Sequence, residues 1–205
     1  NNISIIINYN TGNPESLFNL IVSYTSIDNP DDNVSETYSN LSMSSGHPRF
    51  VEAVVNDASS LITANSLLVA GDFAAFSGTS VSGQLGDVQT LVDATHSDFR
   101  IIVNGTDVFT VHINPAVDIT GGTAALHIDS LCAAIQAKLP AGTITCVANA
   151  AKDRIEITSG TAGENSRIEV LPGLINDAAG RLMLGVGNGG TEADASSTLR
   201  PAEQP

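Results

Sequence analysis

Two apolar runs around Asn104-Gly105 fix most of what the second half of this chain can fold into. Phe99 to Val103 reads as one strand. Phe109, Val111 and Ile113 alternate with Thr110 and His112, which gives a second strand with one buried face. The Asn-Gly pair between them favours the positive φ angles of a tight hairpin turn. Gly121-Gly122-Thr123 then leads into a helix expected over 124–139, with Thr123 as its cap. Ile128, Leu131, Cys132, Ile135 and Leu139 fall on one side of that helix. Lys138 suits the negative end of its dipole, and Pro140 stops it. Strands are expected over 143–148, 154–158 and 167–171. A short helix over 177–184, capped by Asn176 and ended by Gly185, completes the series. The order β-β-α-β-β-β-α suits an antiparallel sheet with helices on one face.

The first half is less regular. Residues 2–8 are rich in β-branched side chains and read as a strand, as do 16–25 and 34–42. Asp28-Asn29-Pro30-Asp31-Asp32-Asn33 is a turn signal. Pro48 is placed to open a helix, with Phe50, Val51, Val54, Val55 and Ala58 as its apolar stripe. Leu67 to Ala70 reads as a short strand. Residues 71–97, punctuated by Gly71, Gly78, Gly83 and Gly86, read as a linker or exposed loop with low packing content. The expected class is α+β. Two small domains, 1–90 and 91–205, would each hold a mainly antiparallel or mixed sheet with helices packed on one face.

The chemistry-bearing residues do not assemble into a site. Eight Lys+Arg stand against 22 Asp+Glu, a formal charge of −14, which disfavours a phosphate-binding surface and hence nucleic acid. No run of about 20 apolar residues is present, so no membrane insertion is expected. His47, His96, His112 and His127 are scattered, and no local zinc spacing exists. Cys132 and Cys146 read as two buried thiols or, alternatively, as a disulfide. Asp28, Asp31 and Asp32 lack the calcium-loop pattern and read as a solvated turn. Ser60 with His96 has no nucleophile-elbow context. Gly185-Val186-Gly187-Asn188-Gly189-Gly190 follows a helix pattern where a dinucleotide loop would precede one, so it reads as a helix stop. The sequons at Asn2, Asn33, Asn40 and Asn104 arise readily by chance in an Asn- and Ser-rich chain. Aromatics make up 4%, too few for a stacking platform. No catalytic, cofactor-binding or metal residue is therefore singled out, and no enzyme is expected.

A resemblance goes further. Phe18 to Val22, Glu36 to Met43, Pro48-Arg49-Phe50-Val51 and Asn56-Asp57-Ala58-Ser59-Ser60-Leu61-Ile62 resemble segments of contractile tail sheath proteins. These occur in bacteriophages and related contractile injection systems. Phe99 to Gly105, Asp153 to Ser159 and Leu182 to Gly185 are similar to the surface domain such proteins carry. Gly189-Gly190-Thr191-Glu192 and Arg200-Pro201 are similar to the return into the sheath core. The resemblance implies a piece of a longer structural subunit that polymerises with its own copies around an inner tube above a baseplate. Contraction of that polymer drives the tube through a cell envelope. It implies assembly in the host bacterial cytoplasm and residence in the virion tail. The alternative is a surface adhesion or receptor-binding module of a phage or bacterial structure.

Overall fold

The computed structural model describes residues 2–204. The chain is α+β and divides into two compact units. One runs from the N-terminal strand through Phe73 and takes in the segment from Ser196 onward; the other is Ala74–Ala195. The division therefore falls after Phe73, not at about residue 90, and the last residues belong to the first unit.

In the first unit, β1 (Asn2–Asn8), β2 (Phe18–Thr25) and β3 (Val34–Leu41) form an antiparallel sheet in that order. Phe18, Leu20 and Val22 alternate inward along β2. They pack with Tyr38, Leu41 and Val55, the last from α1 (Val51–Ala58). The β2–β3 turn contains a single 3-10 turn at Pro30–Asp32, capped by the Asn29 side chain. Pro48 does not open α1. The chain first makes a parallel bridge from Phe50 to Ser42, and the helix starts only at Val51. Residues 67–70 form no strand and pair with no strand among the described residues. Leu67 and Val69 are exposed, and Ala70 opens a 3-10 turn to Phe73.

The second unit contains β4 (Thr79–Val81), β5 (Asp98–Val103), β6 (Asp107–His112), α2 (Pro115–Asp118) and α3 (Ala124–Ala137). After these come β7 (Ile144–Ala148), β8 (Ile155–Ser159), β9 (Ile168–Pro172) and β10 (Thr191–Ala193). One antiparallel sheet has the order β10-β4-β8-β7, the other β6-β5-β9. A single core joins them: Phe99 and Ile101 of β5, Ile155 and Ile157 of β8, and Leu131 and Ile135 of α3 are fully buried. Asn104 and Gly105 take φ 53° and 72° in the β5–β6 turn. The Thr123 hydroxyl caps α3 by accepting from the Leu126 N–H at 3.4 Å.

Two expectations fail here. Residues 71–97 are not a loosely packed linker. They supply β4, and they bury Leu85, Val88 and Val92. Ser82 looks linker-like in sequence but satisfies a backbone group inside the fold: its Oγ accepts from the Ile155 N–H at 2.9 Å. Nor is 177–184 a helix. Asp177 Oδ1 accepts from the N–H groups of Gly173 and Ala179, Met183 takes φ 47°, and the segment closes as a compact turn. That turn sends Ala178, Ala179, Leu182 and Leu184 into the core together, which one face of two helical turns cannot do as completely. Among the described residues, no helix is long and apolar enough to cross a membrane.

Candidate interaction surface

The most functional-looking surface lies on the first unit, where an apolar sheet face outruns its cover. In the β1–β2 register, Ile7 faces Leu20, Ile5 faces Val22 and Ile3 faces Tyr24. Paired residues point to the same side, so the face that β2 buries continues onto β1. Leu20 and Val22 are buried there, yet Ile5 is 46% exposed and Ile3 50%. An apolar groove of about 280 Å³ lies on this side, lined by Ile5, Ile7, Phe18, Met43 and Val51 among others. β1 is also an edge strand. On its outer side, Ile7 exchanges both backbone bonds with Gln204 at 3.0 Å. No other described residue pairs with that side of β1. The returning chain thus begins a fourth strand beside β1. Strand edges accept further strands, from the same chain or from another.

That return is held by specific bonds. The Arg200 guanidinium stacks 4.3 Å over the Tyr9 ring and donates to the carbonyls of Ser197 and Pro14. The Tyr9 hydroxyl donates to the Pro201 carbonyl at 2.7 Å.

The motif residues behind the sheath resemblance cluster around α1 as a polar clamp. Glu36 of β3 accepts from the Ser59 hydroxyl at 2.5 Å, the Ser60 N–H at 2.9 Å, the Ser60 hydroxyl at 2.8 Å and the Tyr38 hydroxyl at 2.9 Å. These donors, the Ser59 hydroxyl first, hold its carboxyl down to about 2. Ser59 Oγ in turn accepts from the N–H groups of Leu61 and Ile62. Asn56 brackets Ala64 with a reciprocal pair of 2.8 Å bonds, and Arg49 donates to the Ser39 carbonyl. These residues position backbone and present no reactive atom.

In the second unit, both ends of the inserted chain meet at Ser166. Its Oγ accepts from the Gly78 N–H at 2.8 Å and donates to the Thr161 carbonyl at 2.6 Å. Its carbonyl accepts from the Ala195 N–H at 3.0 Å. The incoming strand β4 and the outgoing strand β10 also pair directly, Thr79 with Ala193.

The residues weighed for chemistry are dispersed into local structure. Ser60 is committed to Glu36, and His96 Nδ1 lies 3.0 Å from Asp93. His112 pairs with Asp98, and Lys138 with Asp118. His127 is held by Asp87 at 2.7 Å and by the Gly121 carbonyl at 3.1 Å. Asp31 and Asp32 belong to the 3-10 turn after Asn29. Among the described residues, no group of three or more His, Cys, Asp or Glu is placed to hold a metal ion. Asn104 is tied to Thr161, Ser159 and Arg167 through its side chain. The glycine-rich segment forms a 3-10 turn at Val186–Asn188 between Gly185 and Gly189, both at positive φ. It follows the compact turn at 177–184, not a helix.

One acidic group in this unit is displaced strongly. Burial pushes the Glu192 carboxyl up to about 7, against the Val170 N–H that bonds it at 2.7 Å; Glu169 adds repulsion.

Comparison with protein-family models, curated proteins and solved structures gave no match.

Proposed function

We propose that this chain is a piece of a contractile tail sheath subunit, a structural protein that polymerises with its own copies around an inner tube and shortens to drive that tube through a cell envelope. The observation that carries the reading is the sheet of the first unit, whose apolar face runs on past its cover onto Ile3 and Ile5 of β1. A strand from a neighbouring copy would extend the ladder at β1 and cover Ile3 and Ile5 together. Backbone bonds then supply affinity, and alternate side chains supply register. Each half-exposed isoleucine contributes roughly 1 kcal/mol when covered. Many weak repeated contacts of one kind make a helical polymer when their rotation does not close. The proposed work needs no reactive pocket, because the free energy lies between two packings of the same chains. On this reading the second unit is a domain inserted into the core unit, tied where it enters and leaves by Ser166. The site of action would be a phage or injection-system tail, formed in the host bacterial cytoplasm.

The test is assembly. The chain, extended by its native flanking sequence, is examined by negative-stain electron microscopy. Tubes or stacked rings are expected. Ile3→Asp with Ile5→Asp should abolish them while the subunit stays folded. A wild-type protein that remains monomeric under all assembly conditions refutes the proposal.

A further inference from the structure

Helix α3 and strand β7 bring the two cysteines of the chain together. Cys132 and Cys146 both belong to the core of the second unit, at 2% and 5% exposure. Gln136 lies one turn beyond Cys132 on the same side of α3. Its Oε1 accepts from the Cys146 N–H at 2.9 Å, so helix and strand are locked at the level of the thiols. Both cysteines are free, and both face the same cavity. The pair is not sealed off. A cavity of about 650 Å³ is lined by both cysteines, by Gln136, and by Asp129 and Lys152. The last two form a 2.7 Å ion pair that links α3 to the β7–β8 turn.

We propose that Cys132 and Cys146 form an oxidisable dithiol, reached through this cavity by hydrogen peroxide, that closes to a disulfide cross-linking α3 to the edge strand β7. The inference does not depend on the assembly reading. In the first step a thiolate attacks the peroxide O–O bond. An S–O bond forms, and the departing hydroxide leaves as water with the proton that the thiol gave up. In the second step the other thiol attacks the sulfenic sulfur; the S–S bond forms, the S–O bond breaks, and a second water leaves. Two electrons pass from the thiol pair to the peroxide. The neighbouring Cys132 thiol, and then burial, push the Cys146 thiol up, which keeps the thiolate scarce and the reaction slow. The second step joins thiols of two elements that the Gln136 bond already holds together beside one cavity. The product closes the loop 133–145 and fastens the β7 edge, which in the reduced chain is held to α3 by the Gln136 bond.

The 205-residue chain is incubated with hydrogen peroxide, quenched with an alkylating agent, digested and mapped by mass spectrometry. Expected is one cross-linked peptide pair holding Cys132 and Cys146, with both thiols lost to alkylation. The thermal midpoint should rise by roughly 5 °C or more and return on adding dithiothreitol. C132A and C146A should each abolish the cross-link and the shift. If either variant fails to fold, the wild-type peptide map decides alone. Thiols that remain fully alkylatable after unfolding, sulfinic acid without cross-link, or bridges only between chains would overturn the proposal.

Discussion

Replacing Ser166 by Ala tests the junction that ties the inserted unit together. The hydroxyl serves two groups whose fates differ. The Thr161 carbonyl belongs to an exposed residue, so water replaces its lost donor at little cost. The Gly78 N–H is buried and donates to Ser166 Oγ at 2.8 Å. Removing that acceptor orphans a buried donor, at a cost of roughly 1–3 kcal/mol, and the exposed Thr161 side adds little. Taking about 2 kcal/mol and a urea slope of roughly 1.5 kcal/mol/M, the midpoint should fall by about 1.3 M. Hydrogen exchange in urea, read on peptides from β4 and β8, reports the right unit. Tyrosine fluorescence reports the other, because Tyr9, Tyr24 and Tyr38 all belong to the first unit. A companion change, Gly78→Ala, should be worse, since the new Cβ would lie 2.2 Å from Arg167 Cα and 2.6 Å from its nitrogen. A midpoint shift below about 0.3 M for Ser166→Ala would refute the claim that this bond closes the junction.

Three titrations should separate by pH. Glu192 binds a proton more tightly folded, at about 7 against 4.5 unfolded, so stability falls as pH rises from 4.5 to 7. That loss is on the order of 3 kcal/mol, and a urea series at several pH values should show Glu192→Gln without the slope. His127 is raised chiefly by its bond to Asp87, so its contribution is complete below about 6.5 and disappears as pH climbs through the folded value. Melting curves of His127→Gln should be flat over that upper window. Glu36 is lowered to about 2, so its contribution exists above 4.5 and is lost as acid takes pH down through about 2. Acid titration followed by tyrosine fluorescence should place this transition in the first unit, and Glu36→Gln should remove it.

Local pattern in the sequence determined a good deal of this protein. The run Asn2–Asn8 became a strand with the expected bounds, because β-branched side chains favour the pleated backbone whatever surrounds them. Asn104-Gly105 and Thr123 acted at short range and kept their roles. The resemblance motifs pointed to residues the fold uses, but not to how. Glu36 and the Ser59-Ser60 pair come from separate segments, and only their meeting beside α1 makes the clamp.

Tertiary structure decided the rest. Ser80, Ser82 and Val88 read as linker because polar, flexible composition usually cannot bury enough apolar area. Here β8 and β10 flank the segment and satisfy its backbone, which turns it into interior sheet. Leu67 to Ala70 shows the converse, an apolar run that pairs with no described strand and leaves Leu67 and Val69 exposed. The segment 177–184 had helical spacing, but the core asked for both leucines and both alanines at once, and a compact turn met that demand. The exposed isoleucines of β1 were legible only as strand formers. Whether a strand face is covered depends on where a distant helix ends, and no stretch of sequence near Ile5 carries that information.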